Sequence, residues 1–260
     1  MSKTIVTTDR KNHSSSIRLA EMAAEQLGVP LVKRNREPIE GLREKYGADQ
    51  VLVARQESYI LVTQEGELFF HPNMAQLRIK NIRMGEEDHM AKAMDLQEGM
   101  SVLDCTLGFG ADSIVASFAV GETGSVTGLE ASPLIAFVTS EGMKQFLATN
   151  YELHSAIKRV RVINADYNDY LREMPDKSVD VVYFDPMFRH PLRDSHNINP
   201  LRSVADHRPL SLSALNEARR VARHRVVMKE NSRSLEFARL GFEEIAGGKH
   251  SKVHYGVIRL

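Results

Sequence analysis

The spacing of apolar positions along the chain changes character once, near residue 100. Upstream, short β-prone runs mix with two amphipathic stretches. Ile5-Val6-Thr7-Thr8 reads as a strand, and Ser14 to Ser16 offer a helix N-cap. Leu19, Met22, Ala23 and Leu27 then fall on one helical face, which Gly28 ends. Pro30-Leu31-Val32 is a further strand candidate, and Ile39 to Tyr46 a short helix closed by Gly47. Val51 to Ala54, Tyr59 to Val62 and Leu68 to Phe70 read as a meander with Glu65-Gly66 as a turn. His71-Pro72 marks a boundary, because a residue before proline is pushed out of helical geometry. Asn73 to Met94 reads as largely helical, with a break near Gly85. The reading is a small N-terminal α+β domain over residues 1–72 and a larger domain over 73–260.

From Ser101 strands and helices alternate regularly. The strands fall at Val102 to Cys105, Ser125 to Leu129, Val160 to Asn164, Val179 to Phe184 and Arg225 to Met228. Helices fall at Ala111 to Ala119, Pro133 to Ala148, Asp169 to Glu173 and Ser211 to Ala222. Strands apolar through most of their length suit a parallel sheet covered on both faces. Phe242 to Ala246, the turn Gly247-Gly248, and Val253 to Leu260 close the chain as a β-hairpin. The predicted class is therefore α/β, a Rossmann-like sheet with a C-terminal β-hairpin. That combination is more typical of methyltransferases than of dehydrogenases, which is a fold analogy only.

Composition narrows the picture. Of 260 residues 42% are hydrophobic and 26% charged, an ordinary globular balance. Formal net charge is zero, so attraction to nucleic acid must come from local patches. No apolar run approaches the roughly 18 residues of a membrane helix. The N-terminus lacks the apolar core of a signal peptide. A single cysteine, Cys105, excludes an internal disulfide and a Cys-based zinc cluster. The histidines show no ligand spacing. A cytoplasmic protein with no metal and no membrane partner is expected.

The chemistry gathers at strand ends. Val102 to Cys105 runs into Thr106-Leu107-Gly108-Phe109-Gly110-Ala111-Asp112, where Gly108 and Gly110 permit a tight turn close to a ligand. A dinucleotide fingerprint needs a third glycine, and Ser113 stands in its place. Asp104 and Asp112 would repel a pyrophosphate and attract the amino and sulfonium groups of S-adenosylmethionine. Glu130, about 20 residues on, ends the second strand, where an acid accepts from ribose hydroxyls. Asp166 follows the third strand and can receive the adenine amine, with Tyr167 beside the ring; a helix cap is the plain alternative for Asp166. The expected cofactor set is Asp104, Thr106, Gly108, Gly110, Asp112, Glu130, Asp166, Tyr167 and Asp185.

The fourth strand leads into Asp185-Pro186-Met187-Phe188. A base or amide nitrogen is a weak nucleophile because its lone pair is delocalised. Asp185 and the carbonyl of Pro186 can accept from such an amine and aim the lone pair, while Phe188 can stack on a base. Asp185, Pro186 and Phe188 are the expected catalytic residues.

These motifs carry a resemblance. Asp104 to Asp112, Glu130, Asp185-Pro186-Met187-Phe188 and the strand Arg225-Val226-Val227-Met228-Lys229 make the chain similar to the bacterial small-subunit rRNA guanine-N2 methyltransferases of the J type, over most of residues 73–260. The resemblance implies that Asp112, Glu130 and Asp185 touch S-adenosylmethionine or the reacting centre. It also makes Asp185 to Phe188 a form of the Asp/Asn-Pro-Pro-aromatic motif of amino-methylating enzymes. The chain departs at Ala111 and Ala131, where the family usually or often carries a basic residue.

Eight arginines and three acids lie between Arg189 and Arg225, beside the motif, which suits contact with an RNA backbone. The overall reading is methyl transfer from S-adenosylmethionine to a guanine amine of rRNA. Alternatives are methylation of a small molecule or protein by the same core, and a non-catalytic S-adenosylmethionine-binding module.

Overall fold

The computed structural model describes residues 3–186, 204–249 and 251–260. It divides into two compact units. The first holds the described residues up to His71 together with Pro133–Phe146; the second holds those of Pro72–Ser132, Leu147–Pro191 and Asp206–Leu260.

The first unit begins with β1 (Thr4–Thr8), α1 (Ser14–Leu27), α2 (Ile39–Tyr46), β2 (Gln50–Ala54), β3 (Tyr59–Val62) and β4 (Glu67–Leu68). The strands form one sheet in sequence order, with β1 parallel to β2 and the rest antiparallel. Ile5, Leu42, Val51, Val53, Ile60 and Val62 make its core. Three expectations change here. The serines lie inside α1 rather than capping it; His13 is the N-cap residue and supplies no side-chain bond. The buried face of α1 is Ser16, Ala20 and Ala23, while Met22 points outward. Small residues let this helix approach the sheet closely, so size outweighs hydrophobicity at those positions. Leu31 makes only a single parallel bridge, to Val6, instead of a strand.

The second unit runs through α3 (Asn73–Arg83), α4 (His89–Met94), β5 (Ser101–Asp104), α5 (Ala111–Val120) and β6 (Ser125–Glu130). After α6 (Pro133–Gln145), which groups with the first unit, come α7 (Tyr151–Arg159), β7 (Val160–Asn164), α8 (Tyr167–Glu173) and β8 (Val179–Phe184). The chain then continues with α9 (Leu212–Val221), β9 (Ala222–Asn231), α10 (Glu236–Leu240), β10 (Glu244–Ala246) and β11 (Val253–Arg259). The sheet has seven strands in the order β10-β11-β9-β8-β5-β6-β7. Strands β9, β8, β5, β6 and β7 are mutually parallel, and β11 is antiparallel to both of its neighbours. The predicted Rossmann-like sheet and its terminal hairpin are present.

Strand order reverses between β5 and β8, and open α/β sheets hold ligands at the carboxyl ends flanking such a reversal. The central strands earn that position by composition. Residues 181–184 of β8 are buried throughout, so no polar side chain there needs water. Helix α7 escapes a periodicity reading because it is short; Asn150 starts it by accepting from the Leu153 N–H at 3.0 Å.

Helix α6 packs on its own unit through a glycine. A methyl group at Gly142 would fall on the Cβ and ring of Phe70, which is 8% exposed. Gly142→Ala should therefore destabilise the protein by about 1–3 kcal/mol despite the better helix propensity of alanine. A thermal melt that shows equal or higher stability would refute this packing argument.

Candidate active site

The loop after β5 is strung between its neighbours. Cys105 N–H donates to Tyr183 O at 2.9 Å and Leu107 N–H to Leu129 O at 2.9 Å. Gly108 and Gly110 take φ of 54° and 74°, the left-handed region that side chains resist. A Cβ added at Gly108 would meet nothing within 4 Å, so the loop leaves open space there.

Asp104 holds this loop from inside. It is 2% exposed, and accepts from Thr106 N–H at 3.0 Å and from the Ser113 hydroxyl at 2.7 Å. Burial pushes its carboxyl up to about 7 against those two bonds. Ser113, where a dinucleotide loop has its third glycine, is thus a buried strut. The hydroxyl oxygen of Thr106 accepts from the backbone N–H of Asp185, which ties the β5 loop to the end of β8.

Glu130 closes the other side. Its Oε2 accepts from Gly108 N–H at 3.0 Å and its Oε1 from Ser132 N–H at 2.8 Å. Burial raises its proton affinity. Three backbone donors, from Gly108, Ser132 and Ala131, do not exhaust the roughly four acceptor positions of a carboxylate, so a ribose hydroxyl fits here. Asp166 is the helix cap of α8: Oδ1 accepts from Asn168 N–H at 2.8 Å, and Oδ2 from Arg208 at 2.7 Å. Tyr167 is a core residue, 6% exposed, with its ring 5.5 Å edge-on from Phe184. Tyr167, expected beside the adenine ring, thus has most of its aromatic surface covered by the core.

The centre of the site is a chain of alternating charges. Arg78, from α3, binds Asp88 through two bonds of 2.7 and 2.9 Å and also reaches Asp112. Asp112 Oδ2 accepts from the Tyr183 hydroxyl at 2.8 Å and from Lys229 Nζ at 3.0 Å. Lys229 Nζ then donates to Asp185 Oδ2 at 2.7 Å. Burial alone would raise the Asp112 carboxyl, but Lys229 and Arg78 hold it far below the carboxylate range. Asp185 is pushed up by burial and by Asp112, against Lys229. Lys229 and Arg78 are held charged by these acids despite burial.

Asp104, Thr106, Gly108, Asp112, Glu130 and Asp185 therefore converge at one sheet edge, while Gly110 starts α5. Phe188 and Met187 lie outside the described residues. Arg78, Asp88 and Tyr183 carried no sequence signal, since their partners stand 34 to 71 positions away or form a pair only through the fold. The basic stretch also reads differently. Arg208, Arg220, Arg223 and Arg225 are each paired with a carboxylate of the chain, Arg219 is exposed with no ion pair among the described residues, and Arg189, Arg193 and Arg202 lie outside the described residues. No group of three or more His, Cys, Asp or Glu among the described residues could hold a metal, and no described helix could cross a membrane.

Comparison with known proteins gives consistent results. A family model described as "Putative SAM-dependent methyltransferase" matches residues 49–251. The uncharacterized protein YpiP of Bacillus subtilis is 39% identical over 98% of this chain and 99% of its own length. A ribosomal RNA small subunit methyltransferase J of Acinetobacter baylyi is 32% identical over 46% of this chain, and the match spans only 43% of that enzyme. A SAM-dependent methyltransferase from Neisseria gonorrhoeae superposes with a TM-score of 0.66 at 19% identity, covering 98% of this chain and 95% of its own, which shows a shared fold.

The raised Asp104 carboxyl has a consequence for stability. Folded, it keeps its proton up to about 7; unfolded, it ionises near the ordinary aspartate value of 3.8. Its contribution is complete below the unfolded value and is lost as pH rises through the folded one, by at most about 1.4 kcal/mol per pH unit. Asp104→Asn can keep both bonds, since an amide accepts from Thr106 and donates to Ser113. Urea unfolding of this variant should show a shallower fall of stability between pH 4 and 7 than wild type. An unchanged pH profile would mean that Asp104 is ionised in the native protein.

Proposed function

Because the chain belongs to the family of SAM-dependent methyltransferases matched over residues 49–251, we propose that its acceptor is an exocyclic amine of a nucleobase, a guanine amine of rRNA. The open loop at Gly108 and the remaining acceptor capacity of Glu130 fit S-adenosylmethionine, with Glu130 at the ribose and the Gly108 to Gly110 turn beneath the amino acid portion. The cofactor supplies an electrophilic methyl group on a sulfonium sulfur.

Asp185 carries the reading. Its backbone N–H is pinned by Thr106 and its Oδ2 by Lys229, so the remaining oxygen has a fixed direction. Among the described residues Oδ1 makes no hydrogen bond, and it accepts one N–H of the acceptor amine. The carbonyl of Pro186 accepts the other, so the nitrogen lone pair is aimed at the methyl carbon. As the new N–C bond forms and the S–C bond breaks, positive charge grows on nitrogen beside a fixed carboxylate. Burial raises the proton affinity of Asp185, which suits it to take the proton that the product amine loses. The rRNA acceptor draws on the partial similarity to the J-type relatives.

The test is transfer of labelled methyl from S-adenosylmethionine to rRNA taken from a strain lacking this protein. Asp185→Asn should lower turnover by about 10²–10³ while the melting temperature stays near that of wild type. A folded Asp185→Asn protein with full activity would refute the mechanism. Wild-type protein that labels no rRNA would refute the acceptor.

A further inference from the structure

The first unit contains a cavity of about 650 Å³ that the methyl-transfer chemistry does not use. Its lining is of two kinds. Ile39, Val53, Ile60 and Val62 give it an apolar floor on the face of β2 and β3. Arg10, Lys11, Arg34 and Arg55 supply four cations at its walls, with His13 beside them.

These cations are unlike the arginines of the second unit. Among the described residues, no ion pair to a carboxylate involves Arg10, Lys11, Arg34 or Arg55. Arg34 is oriented by backbone alone: its Nε donates to Glu37 O at 3.1 Å and its Nη1 to Thr8 O at 3.2 Å. Its Nη2 makes no hydrogen bond among the described residues. Burial and the charge of Arg10 lower its proton affinity, Arg55 adds to them, and Asp9 and Glu40 oppose them without reversing the shift. Three acids also line the cavity. Asp9 is occupied by the N–H groups of Lys11 and Asn12 at 3.2 and 3.0 Å and by the Ser16 hydroxyl at 3.4 Å. Glu57 and Glu67 are exposed.

We infer that this cavity binds a nucleotide segment of single-stranded RNA, with phosphates on Arg10, Arg34 and Arg55 and a base on the apolar floor. An apolar base platform edged by cations is how single strands are held without sequence readout. The planar guanidinium of Arg34, fixed by two carbonyls, presents its remaining N–H groups as a preformed fork for phosphate oxygens. Hydroxyl and amino donors of a nucleotide can meet Glu57 and Glu67, which a bare phosphate site would exclude by repulsion. The volume lies within the range of sites for small organic ligands and accommodates a nucleotide, where a lone anion would leave it largely empty. This inference rests on the reading of RNA as the acceptor.

The experiment uses the full chain and a labelled 12-nucleotide single-stranded RNA, with binding followed by fluorescence anisotropy across a salt series. The double variant Arg10→Gln/Arg55→Gln alters exposed side chains only. It should weaken binding about tenfold and lower the slope of log K against log salt by about 1.4, as expected for two lost phosphate contacts on a single strand. Unchanged affinity and slope in the variant would overturn the inference, and if the wild type still methylates rRNA the functional reading survives that result. A wild-type protein that neither binds RNA nor methylates it would overturn both. Guanosine monophosphate is the second probe: binding as tight as the oligonucleotide would assign the cavity to a free nucleotide and overturn the RNA strand as its occupant.

Discussion

Lys229 stands between Asp112 and Asp185, and the geometry of the site depends on that shared cation. Its two bonds, of 3.0 and 2.7 Å, join the end of β8 to the first turn of α5 through a side chain from β9. Arg78 extends the alternation to Asp88, so five charges lie in one line with each neighbour opposite in sign. Such an array is tolerable in a low-dielectric setting only as a set. Removing either shared cation, Arg78 or Lys229, leaves uncompensated carboxylates, at a cost of about 3–5 kcal/mol, while replacing the whole set with apolar residues is often neutral or stabilising. Stability alone therefore does not account for it. What the array does uniquely is fix the direction of Asp185, and a reacting nitrogen needs an acceptor whose direction is fixed in advance.

The same economy shapes the cofactor loop. Charge repulsion from Asp104 and Asp112 looked like the barrier to a pyrophosphate. In the fold that argument weakens, since Asp104 sits near neutrality and Asp112 is offset by two cations. Two other features take its place. The Gly108 N–H, which could have cradled a phosphate, already donates to Glu130. Ser113, where close helix approach would call for glycine, is buried against Asp104. The loop is thus shaped by its own carboxylates, and an anionic ligand finds a donor it needs already occupied.

What the sequence disclosed follows from how far its signals reach. Strands β7 and β8 begin and end where their apolar runs predicted; in β8 burial over residues 181–184 leaves a continuous pattern. Gly108, Glu130 and Asp185 were legible because each follows directly on a strand, so their place at the sheet edge comes from topology. Arg78 and Tyr183 were not legible. Arg78 lies on a helix whose exposed neighbours make it look like surface, and Tyr183 reads as one more apolar strand residue. Their roles exist only through contacts across 34 and 71 positions. The N-cap of α1 misled for a related reason: serines normally cap, yet here Ser16 is a small buried residue that lets the helix sit close to its sheet.

For four of the arginines between Arg189 and Arg225, local counting misses the partners that the fold supplies. The stretch from Arg189 to Arg225 holds eight arginines against three acids, and an RNA-binding strip seemed the natural meaning. Folding brings acids from elsewhere: Asp166 to Arg208, Asp176 to Arg220, Asp180 to Arg223 and Asp95 to Arg225. Those cations join elements of the sheet unit to one another, and a phosphate would have to displace a carboxylate to reach them. Arg10, Arg34 and Arg55 stand far apart in the chain, yet the fold of the first unit gathers them around one cavity. Affinity for a polyanion follows from how many cations lack internal partners, a quantity the fold sets and composition does not.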